Sequence, residues 1–214
     1  MKKSKKGSLG QQVNVIVRDK KFVFMALKKC GSVTLHKTVL DSLGYKDLSG
    51  KNINRVIRND LAWTGDKHEI AELVDYIKIS WVRNPFDRLV SGWMHRVRNN
   101  NDAKGYGISP KASFEDFINH ICSVEDENLN VHFRQQTSFI AIQGKLVPDI
   151  LIHLENLQEE WEQLRSKFNW LSSIRWHEQK TKGPGKYRKH YNKDLIEKVR
   201  HRFEEDLDLL EYDF

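Results

Sequence analysis

Between residues 21 and 43 the apolar residues change their spacing, and that change dictates a local fold. Lys21-Phe-Val-Phe-Met-Ala-Leu27 is a short, continuous apolar run, the pattern of a strand buried on both faces. Lys28-Lys-Cys-Gly-Ser32 breaks it with a polar, glycine-bearing turn. Beyond the turn, Leu35, Val39, Leu40 and Leu43 recur at helical spacing, and Gly44 is a natural stop. In a strand, tight loop and helix in that order, the helix N-terminus offers unpaired N–H groups and the positive end of its dipole, which suits an anion. Gly31 allows close backbone approach, Ser32 and Thr34 offer hydroxyls, and Lys29 offers a point charge. The Gly-Lys-Ser/Thr of the nucleotide-triphosphatase loop is missing. Taken alone, the loop fits an ordinary strand-to-helix turn equally well.

A second such junction follows. Ile77-Lys-Ile-Ser-Trp-Val82 reads as a buried strand ending at Arg83, and Asn84-Pro85 supplies a cap and a first-turn proline. Phe86, Leu89, Val90, Trp93 and Val97 form the apolar stripe of a helix predicted to reach about Asn99. At ~100° per residue, Arg88, Ser91, His95 and Arg98 share a polar stripe beside it. Arg83 sits at the carboxyl end of its strand, where open α/β sheets bind ligands. An arginine and a serine converging there make a second phosphate site, with Arg88 more simply read as a structural ion pair.

Elsewhere the spacing predicts helices over Glu69–Tyr76, Phe114–Cys122, Phe133–Ile142 and Glu159–Phe168, and a third strand over Asp149–Leu154. Residues 52–63 are undecided. Asn99–Lys111 and Lys180–His190 read as polar loops, and a closing helix carries Leu195, Val199, Phe203, Leu207 and Leu210. Strands alternating with helices predict an α/β fold with a central parallel sheet flanked by helices. The expected organisation is a basic, flexible tail over residues 1–20 and one domain over 21–214.

Lys and Arg outnumber Asp and Glu by 36 to 29, a formal charge of +7, which favours anionic ligands without choosing among nucleotides, charged sugars, nucleic acid and acidic membranes. Cys30 and Cys122 match no metal or redox spacing, so reduced thiols are expected. The histidines lack ligand spacing, and no metal is expected. The basic start is not followed by an apolar stretch, and no run of ~18 apolar residues occurs; the expectation is a soluble, cytoplasmic chain with no transmembrane segment.

Two anion sites at neighbouring strand ends suggest a ligand with two separated phosphates, and here the motifs become specific. Phe24-Met-Ala-Leu-Lys-Lys-Cys-Gly-Ser-Val-Thr-Leu35 resembles the 5′-phosphosulfate loop of the carbohydrate sulfotransferase family (family 2 type, soluble bacterial-like members). Trp81-Val-Arg-Asn-Pro-Phe-Asp-Arg-Leu-Val-Ser-Gly-Trp93 resembles its 3′-phosphate motif almost residue for residue. Leu154-Glu-Asn-Leu157, Tyr187-Arg-Lys-His-Tyr191 and Asp206-Leu-Asp-Leu-Leu-Glu-Tyr212 are similar to its later landmarks. His68 resembles a histidine common in bacterial members, and His132 and Gln136 resemble a further pair.

The resemblance implies a P-loop-like sulfotransferase fold. It implies transfer of a sulfuryl group from 3′-phosphoadenosine 5′-phosphosulfate (PAPS) to an acceptor hydroxyl, with the 3′,5′-bisphosphate (PAP) as product and no metal. The acceptor it implies is a carbohydrate. Lys29 would sit by the phosphosulfate bridge, with Cys30, Gly31, Ser32, Val33, Thr34 and Leu35 around the 5′ end. Arg83 and Ser91 would hold the 3′-phosphate, and Tyr187 and Arg188 would close over the nucleotide. His68 would be the base, and His132 and Gln136 would lie on the acceptor side. The chain departs from the family pattern at Lys28, where proline is usual, at Val33, where a hydroxyl residue is common, and at Glu178 and Gln179, where asparagine is often seen. The rival readings are a P-loop-like phosphoryl-transfer enzyme, which should carry the missing Gly-Lys-Ser/Thr, and a basic nucleic-acid-binding protein; no nucleic-acid partner is expected.

Overall fold

The computed structural model describes residues 12–98, 107–175 and 185–214. The sheet strands are β1 (Asn14–Val17), β2 (Phe22–Ala26), β3 (Ala62–Thr64), β4 (Ile77–Val82) and β7 (Ile150–His153). β5 (Ala141–Ile142) and β6 (Lys145–Leu146) form a separate small ribbon. The helices are α1 (Ser32–Ser42), α2 (Ile53–Asp60), α3 (Lys67–Ala71), α4 (Pro85–Gly92), α5 (Phe114–Ser123), α6 (Thr137–Ile140), α7 (Leu157–Lys167), α8 (Lys193–Arg202) and α9 (Glu204–Leu209).

The five-stranded sheet runs in the order β3-β1-β2-β4-β7. Its β2, β4 and β7 are parallel, with Phe24 opposite Ile79 and Ile79 opposite Ile150. β1 and β3 extend it antiparallel, so the α/β fold has a mixed sheet rather than a purely parallel one. Val13, Val15 and Val17 are buried in the core, so the chain enters the sheet before residue 21; residues 1–11 lie outside the described residues.

Alternation along β2 explains the layers. Phe22, Phe24 and Ala26 face the core shared with α1, α2 and α7, whereas Val23, Met25 and the following Leu27 face that of α3, α6 and Leu210, just beyond α9. With both faces covered, the strand needs an unbroken apolar run. A third cluster, built by Phe86, Leu89, Phe117, Phe133, Val199 and Phe203, joins α4, α5 and α8.

Several predicted boundaries move. α4 ends at Gly92 and continues as a π-helix over Trp93–Arg98. The helix predicted over 133–142 shrinks to α6, because Arg134 and Gln136 turn inward to bond neighbouring chain segments. The helix predicted over 69–76 forms instead over Lys67–Ala71, capped by the Asp66 carboxylate on the His68 N–H. The closing helix breaks at Phe203 into α8 and α9. The undecided 52–63 stretch is α2, capped by Asn52, followed by β3.

Candidate active site

β2 and β4 lie side by side and parallel, so the turns leaving their carboxyl ends meet. After β2 the chain turns through Lys29 (φ 67°) and Gly31 (φ 74°) into α1. Gly31 is dictated twice over. Its φ is left-handed, and a Cβ there would stand 3.1 Å from Leu154 Cδ1 and 3.3 Å from Trp81 Cε3. α1 has no side-chain cap. The Leu35 N–H is already committed to the Gly31 carbonyl and the Cys30 N–H to that of Leu27. The outward donors at this helix end are therefore those of Ser32, Val33 and Thr34, and Cys30 and Leu35 contribute packing, both being fully buried.

At the end of β4, Arg83 is almost wholly buried. Its Nε and Nη2 donate to Asp87 Oδ2 at 3.1 and 2.9 Å, and its Nη1 donates to the Lys29 carbonyl at 3.0 Å. Asn84 caps α4 through the Phe86 N–H, and its own N–H bonds Glu155 Oε1 at 2.8 Å. Glu155 in turn accepts from the Tyr212 hydroxyl, which gives the Leu154–Leu157 and Asp206–Tyr212 landmarks a structural task. Ser91 lies in the second turn of α4, mostly buried.

Gln136 is not on a surface. It has no exposed area, and its side chain spans three segments. Its Oε1 accepts from the Cys30 thiol and the Arg83 N–H, both at 3.0 Å, and its Nε2 donates to the Arg83 carbonyl at 2.8 Å. Asp206, also fully buried, accepts from the N–H groups of Gln136 and Thr137 at 2.9 and 2.8 Å. Burial raises the Asp206 pKa, with Arg88 and these N–H groups pulling the other way.

Cations crowd around the Lys29 loop. Burial, then Arg83, Arg96 and Arg88, pull the Lys29 ammonium down to about 8. Burial, then Arg58 and Arg96, lower that of Lys28. Arg88, from the polar stripe of α4, is 1% exposed, with Nε on the Lys28 carbonyl (3.1 Å) and Nη1 on that of Arg134 (2.7 Å). It cross-links backbone where an ion pair was the simpler expectation. Its Nη2 is buried without a partner among the described residues.

His132 enters this cluster. Its Nδ1 lies 2.6 Å from Asn130 Oδ1 and its Nε2 2.9 Å from Arg96 Nη2, an arrangement that fixes a neutral ring donating from Nδ1 and accepting at Nε2. Burial, then Arg96, Lys28, Lys29 and Arg88, hold its pKa near 3. His68 is exposed, and its ring makes no hydrogen bond among the described residues. Its helix follows β3, whose Thr64 pairs with Asn14; Asn14 Oδ1 accepts from Ala26 N–H at the end of β2. His68 therefore starts from the same sheet edge as the Lys29 loop.

Tyr187 is buried against Tyr191 and Phe214, and the Arg188 guanidinium sits 4.7 Å over the Phe214 ring. Glu178 and Gln179 lie outside the described residues, as do 99–106 and 180–184 of the two polar loops. Sequence reasoning singled out neither Arg96 nor Asn130, and it met Asp206 only as the start of the Asp206–Tyr212 landmark, with no role attached. Arg96 left one signal, as a charged neighbour of His95, and the π-turn brings it round to His132.

Among the described residues no group of three or more His, Cys, Asp or Glu side chains could hold a metal, and no helix is long and apolar enough to cross a membrane. Parallel strands ending in a helix N-terminus, a buried arginine and a crowd of further cations define an α/β protein whose sheet is electropositive at its carboxyl edge. The chain belongs to the sulfotransferase family, whose reaction is sulfuryl transfer: the family model matches residues 13–213. No curated protein and no solved structure matches the chain.

Proposed function

We propose that this protein moves the sulfuryl group of PAPS onto a carbohydrate hydroxyl. The observation that carries this reading is the hydrogen bond from Arg83 Nη1 to the Lys29 carbonyl, which joins the two anion-binding motifs at adjacent strand ends. A nucleotide charged at both its 3′ and 5′ ends fits that pairing. Ser32, Val33, Thr34 and Lys29 take the 5′ end, and Arg83 with Ser91 takes the 3′-phosphate. Tyr187 and Arg188, beside Phe214, wall the nucleotide. Cys30, Leu35 and Gln136 act behind the site, holding the two turns in register.

Transfer is in line. The acceptor oxygen bonds to sulfur as the sulfur–oxygen bond to the 5′-phosphate breaks; the acceptor proton passes to neutral His68, and PAP leaves. Lys29 offsets the charge gathering on the departing phosphate. His132 is unsuited to be the base because its acceptor nitrogen is already held by Arg96. Incubation with sulfur-labelled PAPS and a glycan panel tests the reading: labelled saccharide and stoichiometric PAP are expected. Label appearing only in free sulfate, or no PAP binding, would sink it.

A further inference from the structure

The proposed base stands on a small element. α3 is five residues long, too short to hold together by itself, and it follows β3, a three-residue strand at the sheet edge. Its start is nonetheless well shaped. The Thr64 hydroxyl accepts from the Asp66 N–H at 3.0 Å and donates to Glu69 Oε2 at 2.7 Å, and Asp66 Oδ1 caps the His68 N–H at 2.8 Å. Those polar bonds all lie within residues 64–69, so they shape the turn without deciding where it stands against the donor site.

Lys67 makes the longer-range bonds. A cation in the first turn of a helix opposes the helix dipole, so Lys67 gains nothing from its own helix. Its ammonium donates instead to the Ser138 carbonyl at 2.9 Å and to the Ala141 carbonyl, at the C-terminal end of α6, a place that favours a cation. α6 is in turn bound into the donor frame. The N–H groups of Gln136 and Thr137 donate to Asp206, and the Gln136 side chain holds the Arg83 backbone and the Cys30 thiol. The contacts therefore run from the helix of His68, through one ammonium, to the arginine proposed for the 3′-phosphate. Successive helical residues lie ~100° apart, so holding Lys67 against α6 also sets the rotation of α3 and the side from which the exposed His68 leaves it.

We propose that Lys67 is a positioning residue for His68: its ammonium locks α3 to α6 and so fixes the base relative to the donor. This rests on the base assignment made above, and the test separates the two. Lys67→Met, Lys67→Arg, His68→Ala and the Lys67→Met/His68→Ala pair are made in the full chain and assayed with sulfur-labelled PAPS and the glycan panel. Lys67→Met should lower turnover about ten- to a hundredfold, the cost of an ångström-scale misplacement. PAP affinity should stay within about twofold, because α6 keeps its own bonds to Asp206. Lys67→Arg keeps donors for both carbonyls and should recover most of the rate. On His68→Ala the Met substitution should cost less than about twofold, since a base already gone cannot be misplaced. Hydrogen exchange at the α3 amides should speed at least about tenfold in Lys67→Met, while those of β2 and β4 keep their protection.

Wild-type turnover in Lys67→Met, an equal fractional loss with and without His68, or unchanged α3 exchange overturns the proposal. So does PAP affinity that falls in step with turnover, which would give Lys67 to the donor frame. Exchange that speeds equally in β2 and β4 also overturns it, by making the lysine a plain stabiliser of the fold. A His68→Ala enzyme with wild-type turnover refutes the base reading and takes this proposal with it. A slow His68→Ala beside a fast Lys67→Met refutes the positioning alone.

Discussion

The guanidinium of Arg83 reaches back 3.0 Å to the carbonyl of Lys29, so the residue proposed for the 3′-phosphate also clamps the loop proposed for the 5′ end. Asp87 holds the other edge of the same guanidinium. Arg83→Ala should therefore weaken PAP more than adenosine 5′-phosphate, by roughly ten- to a hundredfold, the range of a charge-assisted hydrogen bond. Titration calorimetry with both nucleotides measures it. Equal losses would leave Arg83 with the clamp alone.

Lys29 should show itself through protons. Its ammonium is lowered to about 8, first by burial and then by Arg83, Arg96 and Arg88. With the folded value below the unfolded 10.5, the unfolded chain binds more protons between those limits, and this group's contribution to stability rises with pH across that window. A bound anion restores the proton. PAP binding near pH 8 should take up a fraction of a proton, seen as a binding enthalpy that tracks buffer ionisation enthalpy and vanishes near pH 6. Lys29→Met should abolish the uptake and lower turnover more than donor affinity. Uptake that persists in the variant assigns the proton elsewhere.

Both strand-turn-helix junctions were legible in sequence because each couples a continuous apolar run to a glycine or Asn-Pro signal within a few residues. β1 was not, because Asn14–Val17 is only four residues long and adjoins a basic tail. Gln136 was singled out only by the resemblance, on the acceptor side, and its burial was not legible: bonds to Cys30, Arg83 and Asp206 on distant segments make that burial possible. Sequence spacing carries no trace of bonds between residues 30, 83, 136 and 206. The parallel sheet was expected from alternating strands and helices; β1, paired on both sides, and the three-residue edge strand β3 are short, and their pairing depends on a hairpin and on α2.

The histidines divide by environment. His68→Ala should cost about 10²–10⁴ in turnover with PAP affinity kept, and remove an ionisation through which the wild-type rate rises with pH. His132→Gln should leave that ionisation in place. Its effect falls on stability: with a folded value near 3 against 6.5 unfolded, the wild type loses stability as pH falls through that interval, and the variant's acid limb should be flatter. A His68→Ala enzyme with the wild-type pH–rate profile refutes the assignment.

Gln136→Ala removes the acceptor for the Cys30 thiol and the Arg83 N–H, and one donor to Asp206. Leaving such groups buried and unpaired should cost roughly 2–3 kcal/mol in urea unfolding. Unchanged stability with weakened acceptor binding would return Gln136 to the acceptor wall.

Gly31 separates the geometry of the donor loop from its charge. Alanine there must hold a left-handed φ of 74°, which costs about 1–2 kcal/mol, and its Cβ would press on Leu154 and Trp81 at 3.1 and 3.3 Å. Trp81 cannot retreat, since it is fully buried against Trp161. The loop must yield instead, carrying the N–H groups of Ser32, Val33 and Thr34 away from the ligand. Gly31→Ala should therefore lose PAP affinity more than about tenfold while thermal unfolding remains a single cooperative transition. Leu154→Ala placed in the same chain relieves the nearer contact and should restore part of the affinity, although it removes core packing. A double variant that binds PAP no better than Gly31→Ala would show that backbone strain, rather than the Leu154 contact, displaces the loop.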